Sequence, residues 1–121
     1  MKLKEGSILK AFVHAFNGMY YFFLHERNGR IEIGIAAATV GSAFLIGVSI
    51  ADWIAILLCI ALVIGFEMMN SALEKLCNVV QEEYHPVIKI VKDMTAAAVL
   101  WCAIISVMVG LIIFFTKMVQ S

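Results

Sequence analysis

Residues 53–78 read WIAILLCIALVIGFEMMNSALEKLCN, a run of apolar and small residues from Trp53 to Phe66 that passes without a break into Glu67, Asn70, Glu74 and Asn78. No glycine pair, proline or polar turn separates the two halves, so one helix carries both. At 100° per residue the four polar side chains fall at about 0, −60, −20 and +20°, one stripe on one face. An ionisable group near a bilayer costs roughly 2.5 to 3.5 kcal/mol on insertion scales and usually faces a cavity, a partner or a substrate path. The plainer reading is a helix that has already left the membrane and carries ordinary solvated charges.

Composition supports the membrane. Of 121 residues, 63% are apolar and 15% charged, against roughly half and a quarter in soluble domains. Long apolar runs cover 33–50, 53–66 (continuing through 73) and 94–116, each long enough, with helical neighbours, for a span of about 20 residues. The expectation is an all-α integral membrane protein forming a single domain over 1–121. It has an amphipathic surface helix at about 7–24 and three transmembrane helices at about 31–50, 53–80 and 88–117. Three helices cannot enclose a stripe of four polar residues, so a homo-oligomer is expected to cover it.

The formal net charge is zero, which gives no basic field for nucleic acid. Its distribution is uneven: Lys2, Lys4, Lys10, Arg27 and Arg30 precede the first span, and Lys75, Lys89 and Lys92 flank the second connection. The turn Ser49-Ile50-Ala51-Asp52 has no cation, so the positive-inside rule predicts a multi-pass protein of the cell membrane with a cytoplasmic N-terminus. Cys59, Cys77 and Cys102 show neither CxxC nor Cys/His spacing and read as buried free thiols. A cleaved signal peptide is not expected, because the N-terminal residues lack its short apolar core and cleavage site.

Ahead of the first span, Ile8, Leu9, Phe12, Val13, Phe16, Met19, Tyr20 and Phe23 recur at helical spacing. That pattern describes a membrane-surface helix, with Ser7 a candidate cap. The charged segment His25-Glu26-Arg27-Asn28-Gly29-Arg30-Ile31-Glu32 follows, with carboxylates where a simple flank would carry only cations. Small residues from Gly34 to Ala43 suit close helix packing. Pro86 ends the second long helix before it, and a new helix resumes near Val87.

The polar inventory at one membrane face is Glu26, Glu32, Glu67, Asn70, Glu74, Asn78, Glu83, His85, Lys92 and Asp93. Mg²⁺ at nucleotide sites is held by one or two carboxylates together with phosphates and water. A lysine beside such a pair suits phosphoryl transfer, where positioning and charge neutralisation supply most of the catalysis. The chain contains no GxxxxGK[ST] and no glycine-rich kinase loop, which excludes the soluble kinase frameworks. On residue types alone, a small proton-coupled transporter or channel using Glu67 fits equally well.

Glu67-x-x-Asn70-Ser71-Ala72-Leu73-Glu74, then Glu83-Tyr84-His85, then Lys92-Asp93 before an alanine-rich span, resembles the prokaryotic diacylglycerol kinase and undecaprenol kinase family in order and spacing. Gly18 and Glu26-Arg27-Asn28-x-Arg30-Ile31 look like its N-terminal motif, so the likeness runs from about Gly18 to Val99. The resemblance implies a homotrimer with active sites near subunit interfaces, and Mg-ATP-dependent phosphorylation of a membrane lipid alcohol, diacylglycerol or undecaprenol. It implies Glu67 as general base at the lipid hydroxyl, Asn70 as polar support beside it, and Glu26 and Glu74 as the Mg²⁺ ligands. Glu83, Tyr84, His85, Lys92 and Asp93 are the implied nucleotide contacts. Asn78 departs from the acidic residue common in the family. The amide keeps the hydrogen-bonding shape and removes a charge that would orient Lys92 or the metal, so reduced activity or an altered nucleotide arrangement is expected unless Asp93 holds Lys92 instead.

Overall fold

The structure, a computed structural model, describes residues 6–80 and 83–120. Lys2, Lys4, Gln81 and Glu82, which contribute to the charge asymmetry and to the second connection, lie outside the described residues. Four helices account for the regular structure among the described residues: α1 Ser7–His25, α2 Arg27–Ile46, α3 Ile50–Val80 and α4 Pro86–Gln120. The last three are long and apolar enough to cross a membrane, so the chain is all-α with three spans and an amphipathic N-terminal helix.

Helix α1 begins one residue ahead of the anticipated serine cap: Gly6, at φ 84°, takes the cap position and Ser7 is the first helical residue. Ile8, Leu9, Phe12, Phe16 and Tyr20 remain exposed along it while Phe22 is buried. Glu26 alone separates α1 from α2. Its backbone is extended (φ −97°, ψ 132°) and its N–H still donates to Phe22 O at 3.3 Å. The charged segment after this bend is therefore the first turn of α2, which starts at Arg27 and not near residue 31.

At its other end α2 stops where Gly47 enters the left-handed region at φ 77°, and the N–H groups of Gly47 and Val48 both reach Ala43 O. This is the usual way to satisfy the last carbonyls of a helix with a glycine. A reciprocal box then opens α3: Asp52 N–H donates to Ser49 Oγ at 3.1 Å and Ser49 N–H to Asp52 Oδ2 at 3.4 Å. That pairing satisfies two orphan amides and starts α3 at Ile50, ahead of the apolar run that announced it.

Pro86 occupies the first position of α4, where its missing N–H costs nothing. His85 supplies the cap, its Nδ1 accepting from Val87 N–H at 3.2 Å.

The packed seam is narrow. Gly29, Ala36 and Ala43 are buried at seven-residue intervals on α2, and Ile56, Asn70 and Cys77 lie in one heptad register on α3 with half-buried Val63 between them. Small residues on α2 let the two backbones approach closely. Helix α4 packs on α3 and buries no residue fully. At 1.5 Å per residue α3 is about 46 Å long, which exceeds a hydrocarbon core near 30 Å. One end therefore projects beyond the apolar layer, and the opening run at 53–66 identifies it as the end carrying Glu74, Lys75 and Asn78.

Candidate functional site

Glu67 and Asn70 are the two buried polar side chains among the described residues, each 6% exposed. They sit one turn apart on α3, where the helix meets the first turns of α2. The Glu67 Oε1 atom accepts a hydrogen bond of 2.8 Å from Asn28 Nδ2. Glu32, one turn further along α2, lies close enough to Glu67 for the two charges to interact. Asn70 Nδ2 reaches Glu74 Oε1 at 3.5 Å, while its Oδ1 is buried with no hydrogen-bond partner among the described residues.

One turn outward, Glu26 at the α1–α2 bend pairs with Lys75 at 2.6 Å. The Lys75 ammonium also lies 5.6 Å from the Tyr21 ring centroid, and Tyr21 packs on His25 at 5.4 Å. The bend thus brings Glu26 to the α3 turn that bears Glu74. The Glu26 carboxylate already has a cation beside it, and Glu74 presents its own carboxylate at the surface. Two hard oxygen donors suit Mg²⁺. Among the described residues no group of three potential ligands gathers.

The remaining residues lie around the α3–α4 connection. Lys92 Nζ donates to Asn78 Oδ1 at 2.6 Å, and Asp93 is paired with Lys89 at 2.6 Å. The expectation that Asp93 holds Lys92 is therefore corrected: an i,i+4 neighbour on α4 holds the aspartate, and the Asn78 amide holds the lysine. Glu83, Tyr84 and His85 are exposed, and His85 is committed through Nδ1 to capping α4. Asn78 stands eleven residues beyond Glu67, about 16 Å along the helix, and one turn beyond Glu74, so in one copy of the chain Glu67 and Asn70 lie by the first turns of α2, Glu74 and the Glu26–Lys75 pair lie further outward, and Lys92 on Asn78 lies about a turn beyond them.

Sequence reading gave no role to two residues of this cluster. Asn28 entered only as part of a motif, and Lys75 only as a cytoplasmic charge. The one available signal was that Asn28 and Glu32 stand four apart, on one face of a helix if α2 extends that far back.

Below Glu67, toward the middle of the spans, an apolar groove of about 270 Å³ opens between α2, α3 and α4, lined by Glu32, Ala36, Thr39, Ile56, Val63 and Ser106 among others. Glu32 is the one carboxyl that lines this groove, and Glu67 follows its lining residues Val63 and Ile64 by one turn of α3; an apolar groove with a carboxyl on its wall is suited to a ligand with a polar head and an apolar tail.

Comparison with known proteins points the same way. The family model described as "Prokaryotic diacylglycerol kinase" matches residues 13–114. Undecaprenol kinase of Bacillus subtilis is 36% identical over 90% of this chain and 89% of its own length. A diacylglycerol kinase of Synechocystis is 35% identical over 86% of this chain and 60% of its own. The diacylglycerol kinase of Escherichia coli K12 is 29% identical over 90% of this chain and 89% of its own.

Proposed function

This chain belongs to the prokaryotic diacylglycerol kinase family and is a multi-pass membrane lipid kinase with ATP as phosphoryl donor, and we propose that it phosphorylates the hydroxyl of a membrane alcohol with Glu67 as general base. The acceptor is diacylglycerol or undecaprenol, the two lipids in its relatives' names. The observation that carries the reading is a buried carboxylate held by one amide hydrogen bond, one turn of α3 beyond the groove residues Val63 and Ile64. Glu67 takes the hydroxyl proton as the lipid oxygen attacks the γ-phosphorus, and the bond to the β-phosphate oxygen breaks to release ADP. Asn70 supports the turn that carries the base.

Glu26 and Glu74 would hold Mg²⁺ with the nucleotide phosphates, and the ion when bound supplies neutralisation of the phosphate oxygens. Lys75 must then release Glu26. Lys92 offsets phosphate charge, Glu83, Tyr84 and Asp93 line the nucleotide side, and His85 offers only the ring edge that does not cap α4. The protein is placed in the cell membrane with its N-terminus cytoplasmic, where ATP is, and assembles as a homotrimer. The proton-coupled transporter reading of Glu67 draws no support from the family or from the relatives' names.

The test uses purified protein, Mg-ATP labelled at the γ-phosphate, and each lipid offered separately. Labelled phosphatidic acid or undecaprenyl phosphate identifies the acceptor. Glu67→Gln keeps size and hydrogen bonding but cannot take a proton, so turnover should fall about 10²- to 10⁴-fold with nucleotide binding retained. Retention of more than about a tenth of the activity would remove Glu67 from the role of base.

A further inference from the structure

We infer that Asn28 is a positioning residue for the phosphoryl-transfer step: its side-chain amide fixes the Glu67 carboxylate and selects which of the two oxygens receives the proton. This inference rests on the reading of Glu67 as base.

An ionised carboxylate only accepts hydrogen bonds, so the amide nitrogen of Asn28 is the atom that faces it. The contact is 2.8 Å, from Nδ2 to Oε1, in the range of a good charge-assisted bond. Among the described residues it is the one side-chain hydrogen bond to Glu67. Oε1 is thereby engaged, and Oε2 is the oxygen left for the lipid hydroxyl.

The other groups around Glu67 give it no compensation. From α2, the titratable neighbour is another carboxyl, Glu32, and not a cation. The lysine next along α3, Lys75, is taken by Glu26. From α4 no charge can come at this level, because residues 94–116 contain no Asp, Glu, Lys, Arg or His. A carboxylate 6% exposed, beside another carboxyl and with no cation paired to it among the described residues, depends on its single donor for orientation.

The position of the donor is set by local structure. The extended backbone of Glu26 starts α2 at Arg27, which puts Asn28 second in the helix, and the absence of a side chain at Gly29 lets this turn lie against Phe22. The bend that delivers Glu26 to the outer turn of α3 thus delivers Asn28 to the base.

The experiment compares Asn28→Ala and Asn28→Asp with the wild-type chain and with Glu67→Gln, all as purified full-length proteins, by kcat and KM for ATP and for lipid and by thermal unfolding in detergent. A positioning role predicts that Asn28→Ala lowers kcat about 10- to 100-fold, the worth of a hydrogen bond to a charged group, with both KM values little changed. It also predicts that Asn28→Asp is the worse of the two in kcat, because it places a like charge against the base. A merely structural role predicts the reverse order, since an aspartate in the first turn of a helix is favourable to that helix and an alanine is not. Asn28→Asp unfolding no earlier than Asn28→Ala while turning over more slowly establishes the proposal. An Asn28→Ala kcat within about twofold of wild type, or Asn28→Asp more active than Asn28→Ala, overturns it while Glu67→Gln remains inactive and the base assignment stands. Activity in Glu67→Gln itself would overturn the base assignment and the proposal with it.

Discussion

At the scale of single residues, Asn78 stands where the resemblance to the family leads one to expect an acid. Its Oδ1 accepts from Lys92 Nζ at 2.6 Å, so the lysine is held in place by a neutral group and keeps its whole charge for an incoming phosphate. An aspartate there would hold the same ammonium and cancel much of its field. The departure is then a way to orient Lys92 without neutralising it, and the expected loss of activity on account of the amide does not follow from the geometry. Asn78→Asp should raise KM for ATP by a few-fold, the size expected of one exposed ion pair, with kcat nearly unchanged and the effect shrinking as salt is added. Steady-state kinetics at two ionic strengths would check it; a KM that stays the same or falls would mean that the Lys92 charge is not directed at the nucleotide.

At the scale of elements, the bend between α1 and α2 organises both halves of the inner cluster, and one glycine permits it. A Cβ on Gly29 would come 1.9 Å from Phe22 O and 2.7 Å from Phe22 C, backbone atoms that cannot turn aside, so the two helices would have to part. Gly34, one and a half turns on, has open space around its Cα. Gly29→Ala should therefore lower the midpoint of thermal unfolding in detergent and cost about 1–3 kcal/mol, with activity reduced because Glu26 and Asn28 flank the displaced turn. Gly34→Ala should be neutral or stabilising by up to about 1 kcal/mol. Equal behaviour of the two would mean that the bend is not as tight as described. This element also shows what could be read in advance. The three spans were legible because hydropathy reports them directly, and Pro86 marked the start of α4. The start of α2 was not, because residues 27–32 are charged, and hydropathy marks the edge of the membrane while backbone hydrogen bonds mark the end of a helix. The carboxylates were legible through their spacing on α3. Asn28 was not, since its partner stands 39 positions away and nothing in a single sequence ties an amide to a carboxylate on another helix.

At the scale of the whole molecule, the single chain leaves much of its surface uncovered. Its accessible surface is 9308 Å² for 13.4 kDa, against about 6,500 Å² for a compact monomer of that mass. Lipid covers much of the excess, since Leu100, Trp101, Ile104 and Phe115 on α4 all face outward. Lipid does not supply a nucleotide site, however. Within one copy the proposed base stands about 16 Å along α3 from the level of Asn78 and Lys92, and Asn70 Oδ1 is buried without a hydrogen-bond partner among the described residues. A homotrimer in which the base of one copy works with the nucleotide residues of the next would close that gap, and cyclic symmetry would repeat the arrangement three times. This arrangement can be tested without a structure of the assembly. Glu67→Gln and Lys92→Met are each expected to be inactive alone. When the two are co-expressed and purified together, a site shared between neighbours draws its base and its lysine from different copies. About one site in four then receives both intact under random mixing in a ring. Activity near a quarter of wild type should return on mixing during folding, and should not return when the separately purified proteins are combined in detergent without exchange of subunits. If each site is instead built within a single chain, every copy carries one defect, and the co-expressed protein should be as inactive as its parents.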